Sequence, residues 1–151
     1  MSLKVIATNR KARHDYYLFD TYEAGISLLG SEIKSIRAGH VSIKEAFVRT
    51  DGEQAWLMDA HISTYDQANR YNHEPRRPRK LLLHKKEIKN LYDDVRKKSV
   101  TIIPTRLYLK NGLAKVEIAV ARGKKKYDKR QAIAERDTQR IIERQIRRRN
   151  Y

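Results

Sequence analysis

Cysteine is absent from this 151-residue chain, and tryptophan (one), phenylalanine (two) and proline (three) are scarce. Without cysteine there is no disulfide scaffold, thiol nucleophile, iron–sulfur cluster or Cys-ligated zinc. No stretch approaches the ~18 consecutive apolar residues of a membrane-spanning helix. The opening Met1-Ser-Leu-Lys-Val-Ile-Ala-Thr-Asn-Arg10 has too short an apolar run for a signal peptide. The expectation is a soluble protein of the cytoplasm, with no membrane partner. Acidic residues are also few, 18 Asp plus Glu against 34 Lys plus Arg, a formal charge of +16. Charge of that sign and size points to a polyanionic partner, nucleic acid first.

What is present fits one folded body and a tail. A chain of this length with 40% hydrophobic residues can bury a real core. Residues 1–121 carry 22 basic and 14 acidic residues, and residues 122–151 carry 12 and 4, so each part has a net +8. One fifth of the length holds half the excess charge. The shift at Arg122-Gly-Lys-Lys-Lys-Tyr-Asp-Lys-Arg130 sets the expected boundary between a barrel with a basic N-terminal arm over 1–121 and a basic tail over 122–151.

The body reads as mainly β. Tyr16-Tyr-Leu-Phe-Asp-Thr-Tyr22 is rich in strand formers. A second extended stretch is expected from Ile26 toward Ile36, with Gly25 and Gly30 supplying bends. Residues 46–50 and 54–58 flank Asp51-Gly52, a hairpin signal. Residues 99–103 and 106–110 follow, with Pro104 demanding an edge or a bulge between them. Asn111-Gly112 then turns the chain into residues 113–121, where Val116, Ile118 and Val120 alternate with Lys115 and Glu117. One helix is marked: Ile88, Leu91, Tyr92 and Val95 form an apolar stripe within 85–98. Residues 66–80 hold two prolines and no periodicity, and read as a loop or arm. Five or six strands with an intervening helix predict a small OB-type barrel. The tail over 128–151 has no Gly or Pro, and Arg136, Arg140, Arg144 and Arg148 recur at i+4. Its thin apolar content predicts disorder when free and a helix on a polyanion.

Catalytic motifs fail. The five histidines show no metal-ligand spacing, so no metal or other cofactor is expected. Gly25 and Gly30 have phosphate-loop spacing, but Ser31-Glu32 stands where Lys-Ser/Thr is required. Nothing fixes Glu23 and Glu32 as an acid/base pair. Three basic clusters with polar or aromatic neighbours favour RNA instead: Asn9-Arg-Lys-Ala-Arg-His-Asp-Tyr-Tyr17, Arg76-Arg-Pro-Arg-Lys80, and Lys124 to Lys126 beside Tyr127.

Several long stretches in register then carry a resemblance. Asn9-Arg-Lys-Ala-Arg-His-Asp-Tyr16, Glu23-Ala-Gly-Ile26, Glu32-Ile-Lys-Ser-Ile-Arg-Ala-Gly39, Arg79-Lys-Leu-Leu-Leu-His84, Lys115-Val-Glu-Ile118 and Gly123-Lys-Lys-Lys-Tyr-Asp-Lys-Arg130 closely resemble the SmpB family of bacterial trans-translation. The resemblance implies an OB-type, non-catalytic adaptor. It would bind the tRNA-like domain of transfer-messenger RNA and bring it to stalled ribosomes, tagging the nascent peptide for degradation. It places Asn9, Glu23, Leu82, His84 and Lys115 on the RNA-binding face, with Arg10, Lys11, Arg13 and His14 in the same surface. It assigns Lys124, Lys125, Tyr127, Asp128, Lys129 and Arg130 to the decoding centre of the small ribosomal subunit RNA. Arg136, Arg140, Arg144 and Ile146 would lie in the empty mRNA channel. Alanyl-tRNA synthetase and elongation factor Tu become indirect partners through the shared RNA, and the chain itself is expected to be a monomer. Departures are small: Ser31, Glu45-Ala-Phe47 where many members have an Asp-Ser-Tyr type sequence, and Tyr127 where some carry histidine. The rival readings are a ribosomal or general OB-fold protein, and an RNA-processing enzyme using Glu23 or Glu32.

Overall fold

The computed structural model describes residues 3–64 and 72–124. The elements run β1 (Leu3–Thr8), α1 (Arg10–Asp15), β2 (Tyr16–Ile26), α2 (Gly30–Arg37), β3 (Val41–Ser42), β4 (Phe47–Thr50), β5 (Ala55–Met58), β6 (His61–Ile62), β7 (Arg79–Leu82), α3 (Lys85–Lys98), β8 (Thr101–Lys110) and β9 (Leu113–Gly123). Seven strands form one sheet in the order β1-β8-β4-β5-β7-β2-β9, and β9 pairs back onto β8. That pairing closes six strands into a ring, leaving β1 attached to β8 alone. A β3–β6 pair lies apart. The mainly β, OB-like barrel expected from the sequence is what forms.

Local chemistry explains the parts. Asn111 and Gly112 both take positive φ (52° and 79°), so Lys110 and Leu113 pair across a tight hairpin. Pro104 cannot donate to a ladder, and the β8–β9 register shifts between Pro104 and Arg106. The expected bulge is there, inside one continuous strand rather than between two. In β9, Val116, Ile118 and Val120 are buried while Lys115 and Glu117 face partly outward. Helix α3 has the expected limits; Ile88 and Leu91 are buried, Tyr92 is half-buried, and Val95 is exposed at the open end of the stripe.

Three elements differ from the sequence expectation. The stretch after Ile26 is not a second strand: β2 ends there, and α2 follows. The Glu32 carboxylate turns back to accept the Leu29 amide at 2.8 Å, satisfying the helix start, and Ser31, Glu32, Ser35 and Ile36 share the buried face. Burial of that face outweighs the strand bias of its isoleucines. The N-terminal arm is likewise a strand, β1, and a short helix, α1. β9 continues through Arg122 and Gly123, which pair with Tyr17 and Tyr16.

The core joins Ile36, Leu57, Ile62, Leu81, Leu91, Ile102, Leu107, Val116 and Ile118, all essentially inaccessible. Each such side chain contributes ~1.5–3 kcal/mol relative to exposure. Within it sits an ion pair. Arg79 on β7 is fully buried; its Nε donates to Glu32 Oε2 at 2.5 Å, its Nη1 to the Ala60 carbonyl at 2.7 Å and its Nη2 to the Pro75 carbonyl at 3.0 Å. Arg77 adds a second contact to Glu32, at 2.6 Å. The 76–80 cluster read as a basic RNA contact is therefore divided: Arg79 is a core residue, and Arg76 and Lys80 are exposed. Residues 65–71 of the loop between β6 and β7, and the tail from 125 onward, lie outside the described residues.

Candidate nucleic-acid interface

Strand β2 is the spine of the surface, and its two ends carry different chemistry. At its C-terminal end Gly25 pairs with Leu82 of β7 on one side and Lys115 of β9 on the other. A Cβ at Gly25 would stand 3.2 Å from the Leu82 Cβ, tighter than ordinary packing. The missing side chain lets Leu82 lie over the strand, where 56% of it stays exposed beside the fully buried Leu81. The β7 strand then leads into His84, whose backbone amide is capped by Glu87 at 3.0 Å as α3 begins. The outcome is an open groove of about 650 Å³ lined by Glu23, Leu82, His84 and Lys115, together with Lys80 and Lys85. Four predicted RNA-face residues, separated by up to 92 positions in sequence, thus meet in one place.

Glu23 is held in that groove by its neighbours. The Tyr108 hydroxyl donates to its Oε2, and Lys110 Nζ approaches Oε1 at 3.5 Å. The Tyr108 hydrogen bond, with the charges of Lys110 and Lys115 adding to it, holds the Glu23 carboxyl below the usual carboxylate range. Tyr108 responds in the opposite direction: burial first, then Glu23, pushes its hydroxyl well up, so it stays a donor. Glu23 is an ionised acceptor and unsuited to general acid work at neutral pH. Glu32 is no alternative, being inaccessible and paired with two arginines. Among the described residues no cluster of His, Asp or Glu is arranged to hold a metal ion.

The other predicted residues sit elsewhere. Arg10, Lys11, Arg13 and His14 project from α1, which precedes Tyr16 at the N-terminal end of β2. Gly25 lies nine positions beyond Tyr16, about 30 Å of extended strand, so these side chains form a second patch rather than part of the groove. Lys11 pairs with Glu45 at 3.2 Å and His14 with Asp15 at 2.8 Å. Asn9 is a different case. It is buried, accepts the Ala12 amide at 3.1 Å, and donates to the carbonyls of Pro104 at 3.0 Å and Ile43 at 3.3 Å. Its amide is engaged within the protein: it caps α1 and ties it to the β8 bulge. Asn9→Ala is therefore expected to lower stability by roughly 2–3 kcal/mol through stranded buried carbonyls, read as a drop in urea midpoint. RNA affinity per folded molecule should stay near that of the unaltered chain.

Lys124 begins the tail beside this second patch, its backbone amide bonded to the Asp15 carbonyl at 2.8 Å. Lys125, Tyr127, Asp128, Lys129, Arg130, Arg136, Arg140, Arg144 and Ile146 lie outside the described residues. Sequence reasoning named Lys80 only within the 76–80 basic cluster and missed Lys85, which follows His84; the β5–β7–β2 pairing shows that Lys80 faces out. Among the described residues no helix is long and apolar enough to cross a membrane.

The family model described as "SmpB protein" matches residues 6–148. The SsrA-binding protein of Shouchella clausii is 55% identical over 97% of this chain and 94% of its own length. That of Carboxydothermus hydrogenoformans is 52% identical over 95% and 97%. A solved structure described as "tmRNA-SmpB: a journey to the center of the bacterial ribosome" superimposes with a TM-score of 0.67 at 42% identity, covering 83% of this chain and 92% of the other.

Proposed function

The chain belongs to the SmpB family, and from that premise we propose that it is an RNA-binding adaptor of trans-translation. The family is one of RNA-binding adaptors, not of enzymes. The chain would bind the tRNA-like domain of transfer-messenger RNA and deliver it to stalled ribosomes in the cytoplasm. The observation that carries the reading is the groove between β2, β7 and β9, where Lys80, Lys85 and Lys115 surround Glu23, Leu82 and His84. The lysines suit phosphates. The ionised Glu23 accepts from base amino groups or 2′-hydroxyls, and exposed Leu82 supplies an apolar contact.

The tail completes the proposal. Tyr127, Asp128, Lys129 and Arg130 would enter the decoding centre with Lys124 and Lys125, and Arg136 to Ile146 would occupy the mRNA channel when it is empty. Messenger RNA already in the channel would exclude the tail, so delivery would be confined to stalled ribosomes. Alanyl-tRNA synthetase and elongation factor Tu would meet the monomeric protein only through the shared RNA.

Competition binding tests the substrate. Unlabelled transfer-messenger RNA should displace a labelled tRNA-like domain far better than total tRNA does; equal competition would leave only a general RNA binder. Six phosphate contacts would cost about a thousandfold in affinity between 50 and 200 mM salt. A nearly flat salt response would contradict the lysine-lined groove.

A further inference from the structure

At the α1 end of the barrel, away from the groove, Tyr17 and Phe19 stand two residues apart on β2 and so share its outer face. Both rings are open to solvent, Tyr17 at 38% and Phe19 at 50%. Their neighbours Tyr16 and Leu18 point the other way, against Ala12, Ile103 and Ala121. The β2–β9 register shifts between Leu18 and Thr21, so Phe19 lies at a bulge with no paired residue on β9. Two cations are set among the rings. Arg122, directly across from Tyr17, places its guanidinium 5.7 Å from the Phe19 ring centre, and the Lys124 ammonium is 4.8 Å from that of Tyr17. Each exposed ring thus has one cation set against it.

We propose that Lys124, Tyr17, Arg122 and Phe19 form a stacking platform for unpaired nucleotides of a single-stranded RNA segment. This deepens the adaptor reading and rests on it, since it gives the second patch an RNA partner distinct from the one in the groove. Base faces stack on aromatic side chains whatever the sequence, and interleaved Arg and Lys take the phosphates between them. Residues two apart on an extended strand are ~7 Å apart, a spacing splayed bases can meet; a duplex, whose bases are already stacked, would offer them only its backbone. The pairing of each ring with a positive charge favours a polyanion over an apolar protein partner. The cations cover part of each ring only, so ring surface remains for a base.

The test uses the full chain and a labelled adenosine oligomer of about twelve nucleotides, within the size range of single-strand sites. The Tyr17→Ser/Phe19→Ser double variant should bind it roughly tenfold or more weakly. The Tyr17→Phe/Phe19→Tyr variant, which keeps both rings, should bind within about twofold of the unaltered chain, because stacking needs only the ring face. Arg122→Gln should reduce the salt slope by about one, whereas the serine pair should leave the slope in place. Affinity of the serine pair for the folded tRNA-like RNA should be unchanged. Equal oligomer binding by the serine pair, equal loss in the aromatic swap, or no oligomer binding by the unaltered chain would each overturn the platform. Failure of every chain to bind the tRNA-like RNA would instead sink the adaptor reading, leaving the oligomer comparison to stand by itself.

Discussion

A chain ended after Lys126 is expected to bind the isolated tRNA-like RNA with nearly full affinity and to lose peptide tagging on stalled ribosomes altogether. The first half follows from where the groove is. Glu23, Leu82, His84 and Lys115 are held by β2, β7, α3 and β9, all of which the truncation keeps. The truncation removes eight basic and four acidic residues. The groove keeps its own lysines, Lys80, Lys85 and Lys115, and these are expected to set the affinity. The second half follows from the charge distribution, since the truncation removes a net +4, including the Arg136, Arg140, Arg144 and Arg148 row, and keeps every strand and helix of the barrel. Binding by filter retention and tagging in a stalled-translation extract give the two readouts. Loss of both would place the tail inside the groove's RNA site; retention of both would mean the tail is dispensable.

How much of this was legible beforehand depends on whether the signal was local. The Asn111-Gly112 turn, the Pro104 bulge and helix α3 came from short-range chemistry and appeared where expected. Helix α2 did not, because what decides it is the burial of Glu32 against Arg79, 47 residues away. The candidate site divides in the same way. Leu82 and Lys115 could be named from motif resemblance, but their meeting requires Gly25 to pair with both at once. Asn9 and Arg79 show the converse. Both stand in basic, RNA-like stretches of sequence, and both are buried with their polar atoms engaged by the fold. Composition cannot separate an arginine that meets phosphate from one that meets a buried glutamate. Only the alternation of Arg79 and Leu81 inward with Lys80 and Leu82 outward does so.

Removing either member of that buried pair is the largest stability change expected in the barrel. Arg79→Met leaves Glu32 with Arg77 alone and strands the carbonyls of Ala60 and Pro75; Glu32→Gln leaves a buried guanidinium without its counter-charge and weakens the start of α2. Each should cost about 3–5 kcal/mol, a large share of the ~5–15 kcal/mol that a domain has in total. Urea midpoints give the comparison, and a loss below about 1 kcal/mol, the scale of an exposed pair, would show the pair to be unimportant. The pH response has a definite sign. Burial opposes the charge on Glu32, but hydrogen bonds from Arg77, the Leu29 amide and Arg79 win and hold its carboxyl below the ordinary range. Its contribution is therefore fully present above the unfolded value of about 4.3 and is lost as pH falls through the lower folded value. Glu32→Gln should flatten that part of the acid limb. RNA then separates the two meanings of a basic residue. If Arg79 acts only through folding, saturating tRNA-like RNA should stabilise Arg79→Met as much as the unaltered chain, because ligand bound to the folded state adds the same increment to both. A smaller increment would mean that Arg79, by setting β7, also sets how Leu82 and His84 meet the RNA.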